Sequence, residues 1–475
     1  MADRTIEHRG KRLAGARVVV VGLGASGEAA ALLAAREGAT VQATDTRTRE
    51  QLGSETAKRL EDWAIELALG GHAGVDLLAA DLVVVSPGVP HGPFLRDAER
   101  RGARLVSELE LASWYVDADL IAIGGTNGKS TTTELTAAFA RTTGRAVFAG
   151  GNLGTPLAQA VFAGDPGVSS GGIAVVEVSS FQLERVRGFR PKASVLLNVT
   201  DDHLDRYPSF EAYAAAKGNA FVAQSEGDVA IVPAGDALSM RLASLGGGRL
   251  ETVDGLAPAS IGLETRDGVE LIVDRITANM VPRTTVRLSG RHNVTNLCAA
   301  WAAARAVGAD PARFEEVVAS FTGLAHRTTL VGELDGVRYY DDSKGTNVGA
   351  AVTALLGLTE PRAVLIAGGR DKGGSYAPLI EALRARGRGL VLIGEAADAI
   401  EQAARAAIGA SVPIERAASM DEAVDAARKV ARAGDAVLLS PACSSFDMFR
   451  DYKHRGDVFA DAVRAQMGTK TRASS

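Results

Sequence analysis

Uninterrupted apolar runs, each broken by glycine or a polar cluster and followed by an alanine- and leucine-rich stretch, recur along most of this chain. Runs of Val, Ile, Leu and Ala without alternation suit strands buried on both faces. Their separation by helical segments predicts parallel α/β sheets. The first such unit opens with R-V-V-V-V-G-L-G-A-S-G over 17–27, a strand entering a G-x-G-x-x-G turn. A helical stretch runs to Glu37, a strand over 39–43 is tipped by Asp45-Thr46-Arg47, and a strand over 81–85 ends in Ser86-Pro87-Gly88. Ligands of open parallel sheets bind at the carboxyl ends of the strands, where these polar loops fall.

A second unit begins near Glu108 and turns on I-A-I-G-G-T-N-G-K-S-T-T-T-E, residues 121–134. An apolar strand, a glycine turn and a Lys-Ser-Thr helix start are the layout of a phosphate-binding loop. Its backbone N–H groups and helix N-terminus meet phosphate oxygens. Lys129 is expected to reach the β/γ-phosphates and Ser130 to ligate Mg²⁺. The consensus places a glycine at position 123, where this chain has Ile123. The helix is expected to run to about Thr143, with a second glycine loop, G-G-N-L-G, over 150–154. A strand over 173–178 carries Glu177, a carboxylate suited to the same Mg²⁺. A strand over 194–199 leads into T-D-D-H-L-D-R-Y, which reads as a site rather than a turn, and a helical segment over 210–216 is closed by Lys217. Residues 227–285 alternate in short strands and read as a meandering sheet edge. R-H-N-V-T-N then starts an Ala-rich helix with Asn293 and Asn296 one turn apart, either bracketing an adenine or merely capping the helix.

The last unit opens near Ala325. Strands are expected over 337–340, 363–367, 390–393 and 436–439, giving a doubly wound parallel sheet. Three of them end in D-D-S-K-G-T-N, G-G-R-D-K-G and S-P-A-C-S-S. Lys344, Lys372 and Ser445 in these loops suit the binding of carboxylates. The polar tail after Met467 is expected to be unstructured.

Length adds a domain count: 475 residues suit about three domains. A net charge of −5 argues against a nucleic-acid binder. Two distant cysteines, Cys298 and Cys443, support neither a disulfide framework nor a zinc site. With no signal-peptide pattern and no run long enough to span a membrane, a cytoplasmic α/β enzyme is expected. Lysine is scarce, ten of the 52 basic side chains, so a lysine within a glycine loop carries more weight.

Over nearly its whole length the sequence resembles the Mur ligases of bacterial cell-wall synthesis. The family-level motifs are G-T-N-G-K-S-T, the Asn152 loop, E-V-S-S-F-Q-L-E, N-V-T-D-D-H-L-D-R-Y, R-H-N-V-T-N and A-H-R. D-D-S-K-G-T-N, A-G-G-R-D-K-G and L-S-P-A-C-S-S-F-D-M-F are similar to those of members that add D-glutamate. The resemblance implies three α/β domains: a Rossmann-like UDP-sugar domain (1–108), a central P-loop ATP domain (109–324) and a doubly wound, Rossmann-like amino-acid domain (325–475). It implies ATP-dependent ligation of D-glutamate to UDP-N-acetylmuramoyl-L-alanine through an acyl phosphate, by a monomer using two Mg²⁺. Ser26, Asp45, Thr46, Arg47, Gly88 and Asn152 match positions toward the UDP-sugar. Gly125, Thr126, Asn127, Gly128, Lys129, Ser130, Thr131, Asn293, Asn296, Arg327, Asp342 and Lys344 match positions around ATP. Ser130, Glu177 and His203 match the metal side, with Lys217 as a carbamate formed from CO₂, and Lys129, His203 and Lys217 match the catalytic set. Thr346, Lys372, Ser445 and Tyr452 match the D-glutamate pocket, Tyr452 falling where such a member carries Phe.

Three rival readings differ in what they leave unexplained. A nicotinamide-dependent dehydrogenase would use G-L-G-A-S-G and Asp45 but has no role for Lys129, Ser130 and Glu177. A nucleotide switch leaves Lys344, Lys372 and Ser445 idle. A folate-polyglutamate ligase does not need an N-terminal domain with two glycine loops.

Overall fold

The apolar runs become strands because each can be covered on both faces. The computed structural model describes residues 13–203, 206–255, 257–288 and 290–473. The first sheet is built from β1 (Arg17–Val21), β2 (Thr40–Asp45), β3 (Glu66–Leu69), β4 (Leu82–Val85) and β5 (Leu105–Ser107). All pairs are parallel, in the order β3-β2-β1-β4-β5. β3 and β5 escape the sequence reading: E-L-A-L and L-V-S are too short to show a pattern and exist because a paired neighbour offers them an edge.

The second sheet contains β6 (Asp119–Gly124), β7 (Val147–Gly151), β8 (Ile173–Glu177), β9 (Ala193–Leu196), β10 (Val229–Pro233), β11 (Arg249–Val253), β12 (Ile261–Arg266), β13 (Val269–Asp274) and β14 (Asn279–Pro282). Their order is β14-β13-β12-β11-β10-β9-β6-β8-β7. β6 pairs with β8 on one side and β9 on the other, so the loop after β6 opens where the chain order reverses, the usual ligand crevice of such sheets. The meander expected over 227–285 is the far edge of this sheet, with β12, β13 and β14 joined antiparallel.

The third sheet holds β15 (Thr329–Leu334), β16 (Val337–Asp341), β17 (Ala363–Gly368), β18 (Gly387–Ile393), β19 (Ile414–Arg416) and β20 (Ala436–Leu439), in the order β15-β16-β20-β17-β18-β19. The expected parallel sheet holds for five of these strands and is corrected at one edge, where β15 runs antiparallel to β16. Asp335-Gly336 joins them with positive φ at both residues, 56° and 73°, the backbone of a two-residue hairpin turn. Alternate residues of β17 face opposite layers. Leu365 packs with Leu379, Leu383 and Leu390, whereas Val364 and Ile366 pack with Val391, Phe459 and Val463. The tail also corrects expectation: the helix Tyr452–Ala473 continues past Met467.

By packing, the chain falls into two units. One comprises residues to Val199, Glu211–Pro282 and Thr295–Val317; the other comprises Thr200–Phe210, Arg283–Val294 and everything from Val318. In the first unit, two sheets share a core. The helix Ala25–Arg36 lies on the helix Leu157–Ala163, burying Leu33, Leu157 and Val161, and Arg36 donates to the carbonyls of Val161 (2.7 Å) and Phe162 (2.9 Å). Cys298 and Cys443 are buried and not joined in a disulfide. Among the described residues no helix is long and apolar enough to cross a membrane.

Candidate active site

β6 ends at Gly124, and the next helix, Lys129–Ala140, starts from Gly128 in the left-handed conformation (φ 86°). A side chain there would be strained, and its Cβ would fall within contact distance of Asn296 Oδ1 and 3.1 Å from Leu197 Cδ1. The turn is braced from outside. Asn198 accepts the Asn127 N–H at 2.9 Å and donates to its carbonyl at 3.1 Å, and the Thr126 and Tyr213 hydroxyls meet at 3.0 Å. Asn198 opens the N-V-T-D-D-H-L-D-R-Y motif without a role having been read for it, and Tyr213 carries no motif signal. Ile123, where the consensus has glycine, is an ordinary buried strand residue opposite Glu177 and Val195.

The expected phosphate-side residues converge here. Ser130, 1% exposed, donates its hydroxyl to Glu177 Oε2 at 2.6 Å, and Asn152 Nδ2 donates to Glu177 Oε1 at 2.8 Å. Thr131 is buried in the same helix turn. Lys129 folds back on its loop, donating to the carbonyls of Thr126 (2.8 Å) and Gly125 (3.1 Å). Lys217 is buried, donates to the Gly125 carbonyl at 2.8 Å and lies 4.6 Å over the Tyr213 ring. Among the described residues no three His, Cys, Asp or Glu side chains gather as a metal cage. Mg²⁺ does not need one: it takes one or two protein ligands and completes its octahedron with water and phosphate. A hydroxyl touching one buried carboxylate is a sufficient protein share.

At the carboxyl edge of the first sheet, Asp45 ties loops together. Its Oδ2 accepts the Leu23 N–H at 2.7 Å, and Arg47 donates to Oδ1 through its amide (2.9 Å) and Nε (3.0 Å) and to Oδ2 through Nη2 (2.8 Å). Burial opposes ionisation, but the Arg47 and Leu23 hydrogen bonds outweigh it and hold the carboxyl down at about 2. Thr46 and Gly88 are exposed and Ser26 half-buried at this edge. The loop after β3 joins it, unforeseen because β3 was unforeseen. Thr44 Oγ1 donates to the Gly71 carbonyl at 3.1 Å and meets His72 Nδ1 at 2.9 Å, while His72 stacks on Phe94 with centroids 5.1 Å apart.

The second unit gathers the rest. His203 sits at φ 55°; its neighbours Leu204 and Asp205 lie outside the described residues. Asp202 accepts from Asn347 Nδ2 at 3.0 Å and faces Lys372 Nζ at 3.5 Å. Asp342 is buried and accepts from the Ser440 hydroxyl at 2.6 Å and the Thr328 N–H at 3.1 Å. Burial pushes its carboxyl up to about 7 against the opposing pull of Arg327. Burial, helped by the Arg327 charge, presses His292 down to about 4. Asn293 shares the helix Arg291–Arg305 with Asn296, which belongs to the first unit. The Lys344 ammonium rests 3.8 Å over the Tyr452 ring, Thr346 closes the same loop, and Ser445 is 2% exposed after β20. One residue with no sequence signal holds these loops. Arg455, fully buried, donates to Ser343 Oγ (3.0 Å), the Ser343 carbonyl (2.9 Å) and the Cys443 carbonyl (3.2 Å). Ser343 Oγ in turn donates to the Tyr452 carbonyl at 2.7 Å. Burial lowers Arg455 to about 10.

Three family models match the chain: the Mur ligase MurD-like N-terminal domain over 16–107, the Mur ligase middle domain over 123–304 and the Mur ligase glutamate ligase domain over 326–443. A UDP-N-acetylmuramoylalanine–D-glutamate ligase of Geobacter sp. (strain M21) is 43% identical over 450 residues, 94% of this chain and 97% of that protein. The ligase of the same name from Geobacter metallireducens is 42% identical over 97% of this chain and 99% of its own length. The fold is shared with a MurF ligase from Thermotoga maritima (18% identity, TM-score 0.58, covering 82% of this chain and all of that one). It is also shared with a pseudomurein peptide ligase type C from Methanothermus fervidus (19%, 0.57, 90% and 96%). Three matched domains in order, with near-full-length relatives at this identity, lead to one conclusion: the chain belongs to the Mur ligase family.

Proposed function

We propose that this chain joins D-glutamate to UDP-N-acetylmuramoyl-L-alanine at the expense of ATP, in peptidoglycan precursor synthesis. The observation that carries the reading is its identity of 42–43% along nearly its whole length with ligases named for that reaction. The L-alanine carboxylate attacks the γ-phosphorus of ATP, ADP leaves, and the amine of D-glutamate then displaces phosphate from the acyl carbon. Both steps bring anions together, so positioning and charge neutralisation carry the catalysis.

On this reading the backbone of Gly125, Thr126, Asn127 and Gly128 and the helix start at Ser130 and Thr131 cradle the ATP phosphates. Lys129 leaves its two loop carbonyls to meet them. Asn293, Asn296, Arg327, Asp342 and Lys344 complete the ATP side. The UDP-sugar lies toward Ser26, Asp45, Thr46, Arg47, Gly88 and Asn152, with Asp45 also tying the loops together. Thr346, Lys372, Ser445 and Tyr452 receive D-glutamate. Two Mg²⁺, with Ser130, Glu177, His203 and a Lys217 carbamate as protein ligands, would supply the remaining positive charge. A carbamate on Lys217 Nζ leaves that nitrogen one N–H for the Gly125 carbonyl, so the modification is compatible with that contact.

The test is ATP hydrolysis measured with each amino acid and with either UDP-N-acetylmuramoyl-L-alanine or a folate as acceptor. Turnover that requires D-glutamate and the UDP-sugar is expected; turnover with the folate alone would refute the assignment. The carbamate has its own test. Lys217→Arg is expected to be nearly inactive, and wild type in CO₂-stripped buffer is expected to lose activity and regain it with bicarbonate. An active arginine variant would exclude the modification.

A further inference from the structure

The 200–207 motif contains Asp202, to which the proposed reaction assigns no role. Asp202 has a side chain only 7% exposed, yet it stands among the loops assigned to the amino acid. Its Oδ1 accepts the His203 amide N–H at 3.0 Å and faces Lys372 Nζ at 3.5 Å; its Oδ2 accepts from Asn347 Nδ2 at 3.0 Å. Asn347 is itself fixed, its Oδ1 capping the helix Val348–Gly357 through the Ala350 N–H at 2.8 Å. Asp202 is thus anchored at the end of the loop carrying Lys344 and Thr346. The nearer candidate for pairing Lys372 is Asp371, but its Oδ1 is committed to its own turn. It accepts the amides of Lys372 (2.7 Å) and Gly373 (3.1 Å) and the Tyr376 hydroxyl (2.7 Å). Asp202 is the carboxylate that faces the Lys372 ammonium.

An amino acid with an acidic side chain carries two carboxylates and one ammonium. Lys372, Thr346 and Ser445 offer partners to the carboxylates, and none of the three offers the ammonium an anion. Desolvating a cation without an anion beside it is expensive, so a pocket for this substrate needs one carboxylate of its own. The Lys372–Asp202 separation exceeds the 2.7–2.9 Å typical of a tight charge-assisted bond, so the pair opens at little cost. Resting on the D-glutamate reading above, we propose that Asp202 receives the ammonium of the incoming amino acid. The internal Lys372–Asp202 pair is then exchanged for two pairs with the substrate, and the pocket selects an amino diacid over the same diacid without its amine.

The experiment compares D-glutamate with glutarate, which has both carboxylates and no amine. Full-length wild type, Asp202→Asn and Asp202→Glu are titrated with each, in the presence of UDP-N-acetylmuramoyl-L-alanine and a non-hydrolysable ATP analogue, by calorimetry. Asparagine is nearly isosteric and removes the charge; its single carbonyl oxygen can still accept from the His203 amide, while the contact from Asn347 Nδ2 is lost, and Asp202→Glu controls for that loss. D-Glutamate affinity is expected to fall ~10- to 100-fold in Asp202→Asn, the loss of one charge-assisted contact. Glutarate affinity is expected to hold or rise, and Asp202→Glu to recover part of the preference. Equal losses for both ligands, or an unchanged preference for D-glutamate, would overturn the inference. Wild type that turns over the UDP-sugar with no dependence on D-glutamate would instead overturn the function on which it rests.

Discussion

Gly128→Ala probes the hinge of the phosphate loop, and its cost can be worked from the geometry. Gly128 holds φ 86° as the residue before the helix Lys129–Ala140. An L-residue in that conformation costs roughly 1–2 kcal/mol. The new Cβ also collides with Asn296 Oδ1 and stands 3.1 Å from Leu197 Cδ1. Forcing a methyl group into a packed site adds typically ~1–3 kcal/mol. Together these give roughly 2–5 kcal/mol of destabilisation, a fall in apparent melting temperature on the order of 5 °C or more. The loop's N–H groups are re-aimed as well, so the KM for ATP should rise.

The two contributions separate in a double-mutant cycle with Asn296→Ala. Asn296 is cut back by that change, so its collision disappears, and the backbone strain and the 3.1 Å approach to Leu197 Cδ1 remain. The double variant should therefore be more stable than the sum of the single changes predicts, by roughly 1–3 kcal/mol. Differential scanning of all four proteins reads this directly. Strict additivity, or a Gly128→Ala protein that melts with wild type, would refute the close approach of Gly128 and Asn296.

Lys129→Ala removes the cation proposed to follow the ATP phosphates and should lower product formation ~10³-fold, a loss of ~4 kcal/mol in transition-state stabilisation; a folded variant within tenfold of wild type in a phosphate-release assay would count against that role. Lys372→Ala and Ser445→Ala should each raise the KM for D-glutamate, at ~1.5–3 kcal/mol for a charge-assisted contact, while the KM for the UDP-sugar stays put. A rise in the UDP-sugar KM instead would relocate the pocket. His292 titrates at about 4 in the folded chain, below its ordinary 6.5, because burial disfavours the imidazolium. The unfolded chain binds the extra proton between those values, so this group's contribution is full above about 6.5 and is lost as pH falls toward 4. His292→Gln should flatten that limb of a thermal-stability profile between pH 6.5 and 4, and an unchanged slope would show that His292 is not buried in neutral form.

The strands that position the chemistry were legible because burial on both faces leaves a compositional mark. R-V-V-V-V, I-A-I-G and A-V-L-I-A cannot be anything exposed, and the polar loops at their ends then fall at one edge of a parallel sheet. Lys129 and Ser130 were legible for a related reason: a glycine turn between strand and helix has a fixed relation to both, so local spacing alone implies where their side chains lie. The hairpin between β15 and β16 was also written locally, in Asp335-Gly336, although the strands beside it are too weakly patterned to announce themselves.

What the chain does not write locally is which distant residue completes a contact. Asp45 reads as a ligand-facing carboxylate at a strand tip; that its oxygens also meet Leu23 and Arg47, tying two loops together, is written only in the fold. Asn198 and Tyr213 brace the phosphate loop from positions 71 and 87 residues away, and Arg455 binds Ser343 across 112. Tyr213 and Arg455 are ordinary polar residues in ordinary local settings, and Asn198, though it opens a motif, gives no local sign of its partner. A buried arginine is tolerable only because three oxygens meet it, and those oxygens are assembled by strand order, which no window of sequence contains. Burial and turn geometry act between chain neighbours, so the layered sheets and their polar edge can be read along the chain. Which side chains support that edge cannot, because hydrogen-bond satisfaction is settled between residues that meet only after the sheets have formed.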